Sequence, residues 1–524
     1  MSVEAIECLE APWRDGRPSI HGLVVEALAV RGATAEALRV EPLREEAREM
    51  RWADGALDNL IGRKDDSPRQ TKARRLVSAI GKTLRHPSGG SAAHLYELLR
   101  SGDLISIIDE TLSLLVDEFA DRRAALAALA RRLVLEAPDV EPVKAGVALL
   151  GVSGTPDDAV LVSTIGQYEE ITLYSVVALT KLLTDPEPAI WDLAKHVYGW
   201  GRIRAVGRLA GTHNPGIRDW MLRDGFRNRI MYEYLAYTCA TSGGLLDAIR
   251  RDEVDEGLLI AAGEILSALV IGEPGKGIEE YADGPAVCIA YLRHMAAKPV
   301  RHLRAIDAVL DIQKLCEEER SGRLHGRPGW GAQVFLDVRS LANAVLRSPD
   351  VKATVEAGLA SDAVFSFNLA AAIAPSFGID AWPLRLERQR SCRSGQWYWL
   401  MQTDDAARID QILALAREQL NFDLIGSGPT IGLGLGPEFA DDKALEYVLQ
   451  DLRRFPGKGW DLIKAGLRSR TIRACNMAMN ALRGWGRGSW PSDAEECLRL
   501  AAEGEPDKKV RQRMRDFLDG RLGD

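Results

Sequence analysis

Between residues 155 and 274 a helix-starting signal recurs about every thirty residues, the spacing of stacked supersecondary units of one size. Thr155-Pro156-Asp157-Asp158, Asp185-Pro186-Glu187 and Asn214-Pro215 each set a side-chain oxygen just ahead of a proline. The oxygen can accept from the free N–H groups of a first helical turn. Proline at the next position loses nothing, because its missing N–H would have been unpaired there. Asp158, three residues after Thr155, completes a capping-box pattern. One further step lands on Gly243-Gly244 and another on Glu273-Pro274. The stretch 185–244 therefore reads as two consecutive helix–turn–helix units, and the rest of the chain is organised around it.

Between these markers the apolar spacing is helical. Ile190, Leu193, Ala194 and Val197 fall at i, i+3, i+4 and i+7. Ile203, Val206 and Ala210 make a stripe on the next helix, and Ile230, Tyr234 and Tyr237 on a later one. Strand-like alternation is almost absent, so more than half of the residues should be helical, with no substantial sheet. Helices this short cannot bury their stripes alone; stacking pairs side by side gives them a continuous core.

Over roughly residues 155–300 this period and punctuation resemble the HEAT-like family of α-solenoids. The resemblance implies an all-α chain of stacked antiparallel helix pairs, the second helix of each pair lining a concave face. The expected organisation is an N-terminal helical segment over 1–90, HEAT-like repeats over 91–320 and C-terminal helical repeats over 332–524. Pro87-Ser88-Gly89-Gly90-Ser91 and the glycine-rich stretch 321–331 mark the boundaries. Within the first segment, 21–30 and 52–61 look helical, 41–50 mixes acids and bases, and 69–86 is a basic amphipathic helix read as a solvated face. Residues 396–401 (QWYWLM) are the most aromatic run, 459–467 and 471–485 form a helix pair, and 506–518 is a polar helix suited to end a stack.

With 46% hydrophobic and 27% charged residues the chain has the composition of a folded globular protein. A net charge of −8 argues against a generic nucleic-acid binder while permitting a local basic patch. The seven cysteines lie far apart with no zinc or thioredoxin spacing, as in reduced cytoplasmic proteins. The first residues lack a signal-peptide layout. The longest apolar run, 258–271, is broken by Glu264 and is too short to cross a membrane. A cytoplasmic protein without membrane contact is expected.

Few residues are spaced for chemistry. Residues 422–436 (FDLIGSGPTIGLGLG) approach a dinucleotide fingerprint, but Gly432 comes one residue late for G-x-G-x-x-G and no βαβ pattern surrounds it, so a connecting loop is expected. Residues 272–277 lack the hydroxyl residue that follows the lysine of a P-loop. The eight histidines form no metal set. No cofactor and no metal are therefore expected. Asp192 and His196, at i and i+4, could pair as a carboxylate and the imidazole it orients. Glu233 is a further acid in this region, expected to pair with Arg229 one turn earlier. These three are the candidate catalytic groups.

The richest feature is a mixture of arginines and aromatics. Residues 201–230 hold Arg202, Arg204, Arg208, Arg218, Arg223, Arg227 and Arg229 against only Asp219 and Asp224. Arg204 and Arg208 lie off the apolar stripe, and the HEAT-like resemblance implies that they face the concave groove. With Trp191, Trp200, Arg202 and Arg227 they form the candidate binding set, suited to a protein hot spot or an anionic macromolecule. The segment 213–246 also resembles a bacterial family whose members often carry the label "limonene hydroxylase". That resemblance implies monooxygenase chemistry, which needs haem, flavin or a metal. The first expectation is a solenoid scaffold binding a protein or other macromolecule on its concave face. The alternatives are the hydroxylase, or a HEAT-like DNA glycosylase or nucleic-acid binder with arginines on phosphates and Asp192 beside Trp191 at the base.

Overall fold

The structure, a computed structural model, describes residues 3–31, 53–60, 69–101, 104–317, 322–393 and 395–521. Helix accounts for 72% of it, and no strand occurs among the described residues. The all-helical expectation holds. The stretch 41–50 lies outside the described residues. No described helix is long and apolar enough to cross a membrane. Two compact units divide the described chain between residues 351 and 352.

In the first unit the helix starts expected at Thr155, Asp185 and Asn214 are present, whereas no helix begins at Glu273-Pro274 and the next one opens at Gly284. Asp158 accepts the Thr155 N–H at 2.8 Å in a capping box, and Ala159–Gly166 follows. Asp185 accepts the Glu187 N–H at 3.3 Å at the head of Glu187–His196. Asn214 accepts from Gly216 and Ile217 at 2.9 and 3.3 Å and opens Pro215–Trp220. Gly244, with φ of 72°, ends Glu233–Gly243 in the left-handed conformation that glycine adopts without strain. Helix Arg69–Arg85 turns Ala73, Leu76, Val77, Ile80 and Leu84 inward and leaves Lys72, Arg74, Arg75, Lys82 and Arg85 exposed.

Alternate helices pack in sequence. Val140–Ser153 lies against Glu169–Leu182, which lies against Trp200–Arg208, then Glu233–Gly243, then Glu256–Ile271, then Leu303–Glu317 and finally Ala332–Leu346. At one of these contacts the chain comes very close: a Cβ on Gly201 would sit 2.6 Å from the Thr172 hydroxyl. The N-terminus of Trp200–Arg208 has no side-chain cap of its own. Glu169, on the preceding helix of the row, supplies one. Its buried carboxylate accepts the N–H groups of Tyr198 (2.8 Å), Gly199 (2.7 Å) and Gly201 (3.2 Å).

Two stripe assignments are corrected. On Trp200–Arg208 the buried positions are Trp200, Gly201, Arg202, Ala205 and Val206, followed by Leu209 just past its end, and Ile203 is only partly buried. Ala210 is exposed because the helix has already ended. Ile230 is not helical. Asn228 accepts the N–H groups of Ile230 and Met231 at 2.9 and 2.8 Å and donates to Phe226 O and Met231 O. These side-chain bonds take the place of helical ones, so the helix begins only at Glu233.

The second unit has its own core, from Trp382, Leu400, Ile409 and Leu413 through Leu445 and Leu482 to Met514 and Phe517. Trp460–Leu467 and Ile472–Trp485 pack together as expected. Lys508–Leu518 is capped by Asp507 and buries Val510, Met514 and Phe517. The glycine-rich stretch 426–436 is a loop pinned to the chain before Ile472: Arg470 N–H donates to Ile425 O at 2.9 Å, and Thr430 to Arg470 O at 2.7 Å.

Glu169→Ala should leave two buried N–H groups and one part-buried one without an acceptor and lower the unfolding free energy by about 2–4 kcal/mol, read from the denaturant midpoint. Glu169→Gln, which keeps one acceptor oxygen, should cost less.

Candidate binding site

The structure separates the residues that the sequence grouped. Arg202 is 1% exposed, flanked by the rings of Tyr198 at 5.5 Å and Trp220 at 5.2 Å. It donates to the Asp224 carbonyl at 3.0 Å and to the Asp224 carboxylate. Trp220 meets Trp191 edge-on at 6.4 Å, and Lys195 lies over Trp191 at 4.9 Å. Trp200 is buried edge-on to Tyr234 at 5.1 Å. These aromatics and Arg202 thus form an interior polar–aromatic core. Arg204 and Arg208 are exposed, and the like charge of Arg208 adds to desolvation in lowering the Arg204 pKa.

The candidate catalytic groups do not converge. His196 Nδ1 donates to the backbone carbonyl of Asp192 at 2.7 Å, while the Asp192 carboxylate is 4.0 Å away and pairs with Lys195 at 3.0 Å. The i, i+4 spacing brought the imidazole to the helix backbone rather than to the carboxylate. Glu233 opens its helix half-buried. Arg229 precedes that helix; its N–H donates to Tyr198 O at 2.6 Å and its guanidinium lies over the Tyr198 ring at 5.5 Å. The expected helical pair with Glu233 is lost with the helical turn.

Arg227 leads elsewhere. Its Nε and Nη2 donate to Glu264 Oε2 at 2.9 and 2.6 Å, and Arg304 donates to Oε1 of the same carboxylate. Glu264, the charge that interrupts the apolar run 258–271, is thereby buried between two guanidiniums. Beside this node a cavity of 370 Å³ opens among Glu256–Ile271, Gly284–Ala297 and the connection 298–302. Leu259, Ile260, Met295 and Val300 supply apolar walls, and Lys298, Arg301, His294 and His302 face a single carboxylate, Glu256. Lys298 and His294 are tied to backbone, donating to Val254 O at 2.9 Å and Ile249 O at 2.8 Å. Arg301 is exposed. His302 Nδ1 is buried with no partner, and burial, then the Arg304 charge, holds the His302 pKa below the ordinary imidazole value.

Along the helix Leu303–Glu317 the next groups are Asp307 and Asp311, at i and i+4. Asp311 accepts from the Ser267 hydroxyl at 2.6 Å. Burial, then the Asp311 charge, pushes the Asp307 pKa up to about 6. Sequence reasoning reached Arg227 but missed Glu264, Arg304, His302 and Asp307. A signal was available: His294, Lys298, Arg301, His302 and Arg304 fall within residues 294–304, which contain no acid. Among the described residues no group of three or more His, Cys, Asp or Glu is placed to hold a metal ion.

The first unit is thus all-helical, with a cleft lined by Lys298, Arg301 and two imidazoles. Comparison with protein-family models, with curated proteins and with solved structures finds no match for this chain.

A carboxylate pKa raised by folding favours the folded state at low pH, and that contribution is lost as pH climbs from 3.8 to about 6. Asp307→Asn should therefore raise stability near neutral pH by about 1–2 kcal/mol, after allowance for partial exposure, and change it little near pH ~3.5. Denaturant midpoints at the two pH values check this.

Proposed function

We propose that this chain is a HEAT-like helical scaffold whose first unit captures an acidic segment of a partner protein in the cleft between Glu256–Ile271 and Gly284–Ala297. The observation that carries this reading is the basic lining of the cleft: the cations Lys298 and Arg301 with the imidazoles of His294 and His302 around one carboxylate, Glu256, and an unpartnered buried nitrogen on His302. Apolar walls of Leu259, Ile260 and Met295 suit a segment in which acids alternate with aliphatic side chains. The row of successively packed helices supports a solenoid-like scaffold, which presents such clefts on rigid elements. Arg227 and Arg304 hold Glu264 between them and so fix the wall from which His302 projects.

The test is the anisotropy of a fluorescein-labelled peptide of alternating Glu and Leu, titrated with the full chain. Arg301→Glu should weaken binding roughly tenfold or more, and added salt should weaken the wild type. A bound anion favours protonated His302, whose pKa is lowered in the free protein. Affinity should therefore rise as pH falls from about 7.5 to about 5.5, and His302→Gln should flatten that rise. Absence of binding, or binding indifferent to Arg301→Glu, defeats the proposal.

A further inference from the structure

The second unit buries a guanidinium with neutral neighbours. Arg385, on helix Trp382–Cys392, is 4% exposed. Its Nη1 donates to Gln396 Oε1 at 2.6 Å. Among the described residues no carboxylate pairs with it, and burial alone lowers its pKa to about 10. The first unit sets its buried cations on carboxylates: Arg202 on Asp224, Lys144 on Asp58 and Arg132 on Glu136. A buried charge held only by amides is costly unless an anion reaches it.

The surroundings of Arg385 are built to hold its position. Gln396 donates from Nε2 to Asn368 Oδ1 at 2.9 Å, and its backbone N–H donates to Gln389 Oε1 at 2.8 Å. Gln389 in turn donates to Gln419 Oε1 at 2.9 Å. Gln389 and Gln396 are each 1% exposed. These amides therefore fix one edge of the guanidinium. Two rings flank it, Trp399 at 5.0 Å and Phe367 at 5.9 Å. Among the described residues its Nε and Nη2 have no acceptor, yet they are not among the side-chain nitrogens sealed from solvent. Trp399 is 44% exposed, so an apolar, ring-bearing surface adjoins the open edge.

We propose that Arg385 is the anchor of a binding site for a small aromatic carboxylate, the carboxylate meeting the free edge of the guanidinium and the flat remainder lying against Trp399. The planar fork of arginine matches a carboxylate in two parallel hydrogen bonds. One monoanion offsets one buried cation. A phosphate dianion would bring a second charge, and the adjacent Arg388 is already engaged: it donates to Ser361 O at 2.8 Å and to Asp362 O and lies over Phe367 at 4.3 Å. This site belongs to the second unit and does not depend on the cleft of the first.

The experiment is the thermal midpoint of the full chain titrated with benzoate, acetate and inorganic phosphate at matched ionic strength. Benzoate should raise the midpoint saturably, acetate more weakly, and phosphate no more than the salt control. Arg385→Met should abolish the benzoate response. Arg385→Lys, which keeps the charge but loses the fork, should raise the half-saturating benzoate concentration roughly tenfold. If Arg385→Met does not fold, the lysine variant decides. A flat benzoate titration of the wild type, an equal response to phosphate, or an unchanged response in the lysine variant overturns the assignment.

Discussion

The opening N–H groups of helix Trp200–Arg208 converge on one carboxylate, that of Glu169 on the preceding helix of the row. A helix terminus buried without acceptors is strongly disfavoured, so this single side chain decides that the helix can start where it does. Gly199 makes room for it: a Cβ there would sit 2.4 Å from Glu169 Oε2. On this helix Arg202 lies inward, between the rings of Tyr198 and Trp220, and Arg204 and Arg208 lie outside.

Several buried ions of the first unit are shared between segments distant in sequence, so that each ties neighbours together while its desolvation is offset by an opposite charge. Lys144 meets Asp58 at 2.7 Å and Glu170 at 3.4 Å. Arg131 meets Asp158 at 2.5 Å. Glu264 is held by Arg227 and Arg304. Such ties specify which helix lies beside which more than they add net stability. Arg385 in the second unit differs: its Nη1 donates to the neutral side chain of Gln396, and among the described residues no carboxylate pairs with it.

The cleft inherits its character from the same arrangement. Glu264 is held between two guanidiniums beside the connection 298–302. Arg301 and His302 then stand beside one carboxylate, Glu256, at the head of its own helix. Asp307, one turn beyond Arg304, is left half-buried beside Asp311, which is why it holds its proton so strongly.

The sequence by itself determined the all-helical class and several of the helix starts. Asn214 and the Thr155–Asp158 pair act on backbone groups within three residues, so their effect is local and readable. It also determined that Val206 is buried and that Arg204 and Arg208 are exposed, because both follow from one helical period. The helical register failed at Ile230, where the Asn228 side chain outcompeted the backbone ladder. Asp192 and His196 have the spacing of a working pair, yet rotamer and backbone placed the imidazole on a carbonyl. The partners of Glu169, Arg227 and Arg202 were decided only by the tertiary structure. They lie in other segments, and which acid meets which arginine depends on the rotation and offset of packed helices. Periodicity constrains a helix's buried face; it carries no information about which neighbour covers that face.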